Sequence, residues 1–276
     1  TPMRYAWHMR QAYFGGKKHW LRSPLSAARE LLLDRIRDWD REASRRVTHF
    51  VAISQTVADR IAECYGRSST IIYPPVDTDF YQPGHRPREN YYLVVSAMAP
   101  YKRIDLAIEA CRQRDAELVI IGTGPQRRRL QQLASGSRTT FLGWQSNEAI
   151  RAHLESCRAL LFPGCEDFGI VPLEAAPCGT PVIALNEGGA TETVLPPSGS
   201  QPGSGILFNE CTVDSLAEAM GWLEQHPERC SAQVARRQAE RFDAARYERE
   251  LLQFLREVVA ENRGVRELPP YRRAAG

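Results

Sequence analysis

Short apolar runs alternate with segments of helical spacing from residue 91 onward, and this alternation restricts the fold more than any other feature of the chain. Strands joined by helices pair in parallel, and helices then cover both faces of the sheet. The sequence therefore predicts an α/β domain with a Rossmann-like parallel sheet. The predicted strands are Tyr91–Ser96, Glu117–Ile121, Thr139–Leu142, Arg158–Phe162, Pro181–Leu185 and Gly205–Phe208.

The first 75 residues do not complete a domain by the same criteria. Only Thr48–Ile53 and Thr70–Tyr73 have the composition of strands. A segment rich in proline and charge follows them, and we expect it to be a linker. The predicted division is residues 1–75 as the end of an N-terminal domain, 76–90 as the linker, 91–245 as the complete domain and 246–276 as a C-terminal helix and tail.

Helices are predicted by apolar spacing of three and four positions at Ile170–Cys178, Val213–Gln225 and Ala232–Asn262. Within the linker, Asp77-Thr78-Asp79 has the spacing of a metal-binding Asp-x-Asp motif. It follows two prolines and not a nucleotide-binding strand, so we expect these aspartates to form a turn. The six histidines and seven cysteines are scattered, without zinc-ligand or disulfide spacing. No metal is expected, and the unpaired cysteines favour a reducing cytoplasm.

The charge of the chain is uneven along its length. Residues 1–75 contain thirteen basic and seven acidic side chains. Within them, apolar residues recur at helical spacing from Leu21 to Ala43, with arginines interleaved. This helix packs against its own domain or, alternatively, binds peripherally to an anionic membrane at its inner face. No stretch reaches the roughly 20 apolar residues that a membrane span needs, and nucleic acid is not expected as a partner.

Glu166 and Glu174 lie across a predicted junction between a strand and a helix. The strand ends at Pro163-Gly164, so Glu166 is on the loop and Glu174 is about a turn and a half into the helix. Ligands bind at this carboxyl edge of open α/β sheets, where helix amides can face a phosphate. Carboxylates accept hydrogen bonds from sugar and ribose hydroxyls. The loop is therefore interpreted as a nucleotide-sugar site.

Residues 166–174, with the sequence Glu-Asp-Phe-Gly-Ile-Val-Pro-Leu-Glu, carry a family resemblance. With the following Ala-Ala-Pro-Cys-Gly-Thr-Pro-Val-Ile-Ala and the downstream Gly-Gly-Ala-Thr-Glu at 188–192, they resemble the donor-site signature of retaining GT-B glycosyltransferases, group 1 (family 4). The resemblance implies one complete Rossmann-like C-terminal domain and the end of an N-terminal one. It also implies that roughly a hundred further residues precede Thr1, within ordinary domain size.

By this resemblance, Glu166 binds the transferred sugar and Glu174 holds the ribose hydroxyls. Backbone groups of the intervening residues face the sugar and the phosphate. A rival interpretation is the acid/base pair of a glycosidase. The residues expected to present their backbone are Phe168, Gly169, Ile170 and Val171.

Lys102 matches the family lysine that contacts the donor diphosphate. A fixed cation lowers the barrier to departure of a nucleoside diphosphate, because negative charge grows on that group as the glycosidic bond breaks. Ala97 replaces the usual family arginine, so Arg103 is a candidate substitute. The turn containing Gly122 and Gly124 is expected beside the nucleotide, and the base is expected near Leu142 and Gly143.

The expected activity is transfer of a sugar from a nucleotide sugar to a saccharide or lipid-linked acceptor, with retention. Similarity to bacterial mannosyltransferases favours GDP-mannose as the donor, and no cofactor is expected. Two alternatives remain open, namely a GT-B sugar-nucleotide epimerase and a non-catalytic nucleotide-sugar-binding fragment. Because acceptor determinants belong chiefly to the N-terminal half of such enzymes, little transferase activity is expected from these 276 residues alone.

Overall fold

The front segment (residues 24–72) forms a small unit with two helices and two short parallel strands. In this computed structural model, which describes residues 2–3, 6–8, 24–84 and 87–262, the strands are shorter than predicted. Val51–Ala52 pairs with Thr70–Ile71. The elements are α1 (Pro24–Ser44), β1 (Val51–Ala52), α2 (Gln55–Tyr65) and β2 (Thr70–Ile71).

Six parallel strands form a second sheet, which confirms the predicted α/β class. Their bounds agree with the predicted runs to within one residue at each end. The strands are β3 (Tyr91–Val95), β4 (Glu117–Ile121), β5 (Thr139–Gly143), β6 (Ala159–Phe162), β7 (Val182–Leu185) and β8 (Gly205–Phe208).

The spatial order of this sheet is β5-β4-β3-β6-β7-β8. The chain first progresses from β3 outward to β5, and it then returns to the far side of β3 to place β6. The strand order thus reverses between β3 and β6, which pair directly through Tyr92 with Ala159 and Leu93 with Leu160. Loops leave the sheet in opposite directions at such a point and open a crevice at its carboxyl edge.

Helices cover both faces of the six-stranded sheet, as the alternation predicts. Along β3, Tyr92 and Val94 belong to one buried apolar cluster, while Tyr91 and Leu93 belong to the other. This alternation follows from the two-residue period of a strand. The connecting helices are α3 (Ile104–Gln113), α4 (Arg127–Leu133), α5 (Asn147–Ser156), α6 (Ile170–Ala175), α7 (Ala190–Thr193), α8 (Val213–Gln225), α9 (Ala232–Glu240) and α10 (Ala244–Asn262).

Two predicted helices differ from those observed. The segment 232–262 is interrupted before α10, because the Asp243 carboxylate accepts a hydrogen bond from the Arg246 amide at 2.6 Å and so begins a new helix. Phe242 is buried at the interruption, and its carbonyl accepts a hydrogen bond from the Val76 amide. The helix predicted at 170–178 ends at Ala175 and turns, and Gly179 adopts a left-handed conformation with φ of 70°.

The Asp-x-Asp sequence in the linker forms a turn, as predicted. One oxygen of Asp77 accepts hydrogen bonds from the amides of Asp79 and Phe80 at 3.1 and 2.8 Å. The remaining linker prediction, a division of the chain into domains at 75 and 90, stays a prediction.

Helix α1 lacks the basic character that the arginines suggested. It contains four arginines and five acidic residues. Arg29 and Arg37 each form an ion pair with an acidic residue of the same helix. Its outer face nevertheless exposes three large apolar side chains, namely Leu31, Leu32 and Trp39, each more than half accessible. Leu21, the side chain of Leu25 and the tail after residue 262 lie outside the described residues.

Candidate donor site

The candidate site lies where the strand order of the large sheet reverses. Lys102 ends a short 3₁₀ turn, Pro100–Lys102, after β3. Glu166 lies on the loop between β6 and α6. Because β3 and β6 are neighbours, both side chains lie at the carboxyl edge of the sheet, at the position where open α/β sheets bind ligands.

Lys102 and Glu166 form an ion pair across this edge. Their side chains are only 14% and 18% exposed, respectively, so solvent screens the pair weakly. The ammonium also lies 5.2 Å from the centre of the Tyr101 ring. Lys102 is the one lysine in the part of the chain that the structure describes, since the other two are Lys17 and Lys18. Two predicted site residues are therefore brought into direct contact.

Gly164 allows the two loops to approach each other. A Cβ atom added to Gly164 would lie 2.6 Å from the Tyr101 carbonyl oxygen and 2.7 Å from the Lys102 Cα atom. Both distances are below any ordinary van der Waals contact, and the opposing atoms belong to backbone. The Pro163-Gly164 end of β6 is therefore part of the geometry that pairs Lys102 with Glu166.

The loop after β7 supports the backbone of Glu166. The Glu166 carbonyl accepts a hydrogen bond from the Gly189 amide at 2.9 Å, and Glu166 also forms an isolated parallel bridge with Gly188. Gly188 and Gly189 belong to the segment that the sequence marked as characteristic. Their backbone thus fixes the position of the peptide that carries the Glu166 carboxylate.

The turn after β4 packs against the loop after β3, as its two glycines indicate. Gly122 has φ of 126°, and a Cβ atom there would lie 2.1 Å from the Ser96 carbonyl oxygen. The Gly122 amide donates to the Gly143 carbonyl at 2.7 Å, and the Met98 amide donates to Thr123. Gly122, Gly124 and Gly143 therefore share the sheet edge with Lys102. Leu142 is partly buried against the core.

Phe168 contributes its side chain to the core. It is 3% exposed and stacks on Tyr73 with 5.8 Å between ring centres. Gly169 then begins α6 with φ of 90°, and Ile170 is exposed, whereas Val171 is partly buried. The Phe168 ring is therefore part of the core, and the backbone role expected of this turn stays a prediction.

Glu174 occupies a different hollow from Glu166. Its carboxylate hydrogen-bonds the phenol of Tyr81, and burial raises the pKa of Glu174 above its ordinary value. Burial, together with this carboxylate, also raises the pKa of Tyr81. The hollow measures about 290 Å³ and is lined by the linker, α6 and the start of α5. Neither Lys102 nor Glu166 lines this hollow. The two carboxylates of the motif therefore lie in different surroundings. Tyr81 was not identified from the sequence.

Arg103 does not join the Lys102–Glu166 pair. Its guanidinium donates to both carboxylate oxygens of Asp105 at 3.2 and 3.3 Å and to the Cys211 sulfur at 2.9 Å. The Arg103 backbone is left-handed, with φ of 50°, where the 3₁₀ turn meets α3. Ala97 is exposed at the start of the same loop. Ala97 stands where the family resemblance leads us to expect an arginine. Lys102 is the cation that pairs with Glu166.

Asp167 of the motif and its two partners, Arg60 and Ser54, were not identified as site residues from the sequence. Asp167 pairs with the buried Arg60 of α2, and its carbonyl accepts a hydrogen bond from the Ser54 hydroxyl. Arg60 and Asp167 are 107 positions apart, and no local pattern signals such a contact.

Comparisons with known proteins assign the chain to a family. Residues 75–240 match the family model described as "Glycosyl transferases group 1". The match covers more than half of the chain and includes the β3–β6 crevice, and the chain belongs to this family. The parallel sheets are those of the GT-B fold.

Several relatives of the chain are mannosyltransferases. The chain is 31% identical over 210 residues to the GDP-mannose-dependent alpha-(1-6)-phosphatidylinositol monomannoside mannosyltransferase of Mycolicibacterium smegmatis, covering 65% of this chain and 54% of that protein. Its counterpart from Mycobacterium tuberculosis is 30% identical over 204 residues, covering 62% of this chain and 51% of that protein. The chain thus spans about half the length of the curated relatives it matches.

Solved structures show the same fold at low sequence identity. Sucrose-phosphate synthase from Thermosynechococcus elongatus superposes with a TM-score of 0.72 at 20% identity, over 91% of this chain and 66% of that one. Anabaena HepE in complex with UDP-glucose gives a TM-score of 0.70 at 22% identity, over 80% of this chain and 67% of that one.

The described residues contain neither a metal-ligand cluster nor a membrane-spanning helix. No group of three or more His, Cys, Asp or Glu side chains among them could hold a metal ion. No helix within the described ranges is long and apolar enough to cross a bilayer. All seven cysteines lie in that part of the chain, and none of them forms a disulfide. The expected absence of a cofactor and the expected compartment stay predictions.

Proposed function

We propose that this chain is the donor-binding part of a hexosyltransferase that uses a nucleoside diphosphate sugar. The observation that carries the proposal is the weakly solvated Lys102–Glu166 ion pair at the carboxyl edge of β3 and β6. Such a pair supplies an ammonium for a diphosphate and a carboxylate for sugar hydroxyls at one point. Membership of the group 1 family supports this assignment.

In the proposed mechanism, Lys102 stabilises the departing nucleoside diphosphate. The bond from the anomeric carbon to the phosphate oxygen breaks, its electron pair remains on that oxygen, and the ammonium offsets the new charge. Glu166 accepts hydrogen bonds from the sugar and orients its ring. The acceptor oxygen attacks the same face of the sugar and gives its proton to the leaving phosphate, so the anomeric configuration is retained.

Glu174 is proposed to hold the ribose through its hollow beside Tyr81. A carboxylate can accept from two vicinal hydroxyls, and the Tyr81 phenol keeps it oriented. Burial makes the charged form of this carboxylate less favourable, which raises the pKa of Glu174. The hydroxyls of a ribose would add hydrogen bonds to the charged form and would make that form more favourable.

Mannose is the sugar that we propose, with GDP as the carrier. The support is that two relatives, at 31% and 30% identity, are GDP-mannose-dependent mannosyltransferases. Calorimetric titration of the chain with GDP, GDP-mannose, UDP and UDP-glucose tests this choice. We expect GDP and GDP-mannose to bind at least tenfold more tightly than the uridine ligands. Binding of UDP and UDP-glucose alone would overturn the choice of donor but not the class of enzyme.

Absence of any nucleotide binding would overturn the class as well. A product assay without acceptor separates transfer from epimerisation, since an epimerase would change the sugar of the bound nucleotide by itself. Because the chain spans about half of its relatives, we expect donor binding without efficient transfer. Rapid sugar transfer by the 276 residues alone would contradict this expectation.

The proposed acceptor is a saccharide or a lipid-linked saccharide, met at the inner face of a membrane. The two named relatives are phosphatidylinositol monomannoside mannosyltransferases, and the exposed face of α1 carries Leu31, Leu32 and Trp39. Since α1 has no excess of basic residues, we expect this contact to be apolar and insensitive to anionic lipid.

Vesicle sedimentation tests the membrane proposal. Replacing Leu31, Leu32 and Trp39 by serine should abolish binding to vesicles, both neutral and anionic. Replacement of Leu255, which is similarly exposed on α10, serves as the matched control. Unchanged sedimentation of the α1 variant would remove membrane contact from the proposal.

A further inference from the structure

The residue next to the candidate donor carboxylate is held by the front segment. The Asp167 carboxylate pairs with the Arg60 guanidinium, and the side chains of Asp167 and Arg60 are 14% and 11% exposed. The carbonyl of Asp167 accepts a hydrogen bond from the fully buried Ser54 hydroxyl. Ser54 also caps α2 by accepting from the Val57 amide at 3.0 Å. Ser54, Arg60 and Asp167 are called the α2 clamp below.

A second contact fastens the same end of α2 to the sheet edge. The Glu192 carboxylate accepts hydrogen bonds from the amides of Gln55 and Thr56 at 2.9 and 3.3 Å. These are the first amides of α2, where a negative charge is favourable. The Tyr73 phenol also hydrogen-bonds Glu192. The start of α2 is therefore fixed relative to the loops after β6 and β7, and it is these two loops that carry Glu166 and its backbone support.

The loop places two adjacent carboxylates in a poorly solvated position, and each has its own cation. Lys102 approaches Glu166 from the loop after β3, and Arg60 approaches Asp167 from α2. If Arg60 were absent, the Asp167 carboxylate would be left without its guanidinium beside the Lys102–Glu166 pair. Like charges so close repel, so the Glu166 carboxylate would be displaced from its position for the sugar.

Stability alone does not account for this arrangement. The desolvation cost of a buried ion pair is often as large as its attraction, so such pairs contribute little net stability compared with apolar packing. The effect of the Arg60–Asp167 pair that matters here is that it fixes the position of a side chain. Here, the fixed side chain is one peptide unit from the carboxylate that faces Lys102.

We propose that Arg60 and Ser54 are positioning residues for Glu166, so that the front segment controls how the donor site holds the sugar. This inference rests on the proposed function. Lys102, which binds the diphosphate in that proposal, is not held by the clamp. Loss of the clamp should therefore weaken recognition of the sugar and spare recognition of the nucleoside diphosphate.

The test compares Arg60→Gln with the unaltered 276-residue chain by calorimetry. The probes are GDP with GDP-mannose, or UDP with UDP-glucose, whichever pair the unaltered chain binds. We expect the sugar nucleotide to bind about tenfold more weakly in Arg60→Gln, the effect of a lost hydrogen bond to a charged group. We expect the nucleoside diphosphate to change by less than about twofold. Arg60→Lys should recover part of the loss.

Arg67→Gln is the matched control. Arg67 belongs to the same segment but donates to the carbonyls of Val47 and Thr48, away from the donor loop. Its replacement should leave both affinities unchanged. Melting temperatures of each variant establish that the chains are folded, and Asp167→Asn provides a milder break of the same pair if Arg60→Gln does not fold.

A double-mutant cycle completes the test. In the clamp, Arg60→Gln and Asp167→Asn remove one interaction, so the double variant should be no weaker toward the sugar nucleotide than the poorer single variant. Equal losses for nucleotide and sugar nucleotide, additive losses in the cycle, or a lower melting temperature without any affinity change would each overturn the clamp. If the unaltered chain binds no nucleotide at all, the proposed function itself fails, which is a distinguishable result.

Discussion

Opposite changes at Lys102 and Glu166 should have opposite effects on nucleotide affinity. The two side chains form an ion pair, so Glu166 would compete with a diphosphate for the ammonium. Lys102→Gln removes the cation that would bind the phosphates. Glu166→Gln removes the competitor and also a negative charge that repels the phosphates.

The expected magnitudes follow from the burial of the pair. A hydrogen bond to a charged group contributes about 1.5–3 kcal/mol, and about 1.4 kcal/mol corresponds to a factor of ten in affinity. With side chains less than a fifth exposed, solvent screening is weak, and Lys102→Gln should weaken GDP binding about 10- to 100-fold. Glu166→Gln should tighten GDP binding by roughly threefold, which is about 0.7 kcal/mol on the same scale, and it should weaken the added recognition of mannose.

Calorimetry at low and moderate salt is the measurement for both variants. Lys102→Arg should retain part of the affinity, because it keeps the charge but not the compact ammonium. Arg138→Gln, a substitution at an exposed residue before β5, controls for general loss of positive charge. Weaker GDP binding by a similar factor in Lys102→Gln and Glu166→Gln would refute the idea that the pair is exchanged for a diphosphate.

Three further predictions concern packing, pH and metal ions. Gly164→Ala should destabilise the fold by about 1–3 kcal/mol in urea denaturation and weaken GDP binding, because its methyl group would meet the Lys102 backbone; unchanged stability would contradict the close approach. The folded pKa of Glu174 is raised above 4.5, so its protonation stabilises the fold as pH falls from the raised value to about 4.5. Glu174→Gln should be more stable at pH 7 and lose this part of the pH dependence, and an unaltered profile of melting temperature would contradict it. Since Lys102 supplies the proposed charge on the diphosphate, EDTA should leave GDP affinity unchanged, and a loss restored by Mg²⁺ would argue for a metal.

The parallel sheet and its active edge could be predicted from the sequence because their signals are local. Apolar runs such as Glu117–Ile121 are bounded by turn residues, whereas the order of the strands in the sheet was not predicted. The sequence assigned Lys102 and Glu166 to one donor site, but it did not predict that the two side chains pair with each other. The break before α10 was missed because Asp243 is compatible with a helix until its carboxylate caps the next one.

The contacts that could not be predicted are those between distant parts of the chain. Ser54 is recognisable as a helix cap from its sequence, yet nothing local shows that its hydroxyl also reaches the carbonyl of Asp167. Tyr81 similarly lies in a linker and meets Glu174 only because the linker folds back on α6. The error on α1 had another cause, since its arginines were considered without the five acidic residues among them.

The separate partners of Glu166 and Glu174 argue against acid/base chemistry between them. Two carboxylates act as an acid/base pair when their surroundings move their pKa values apart around a shared substrate atom. Here, Glu166 faces a lysine ammonium, whereas Glu174 hydrogen-bonds a phenol in its own hollow. The motif is therefore better suited to holding two parts of one ligand than to exchanging a proton between two acids, which favours transfer from a bound nucleotide sugar over glycoside hydrolysis.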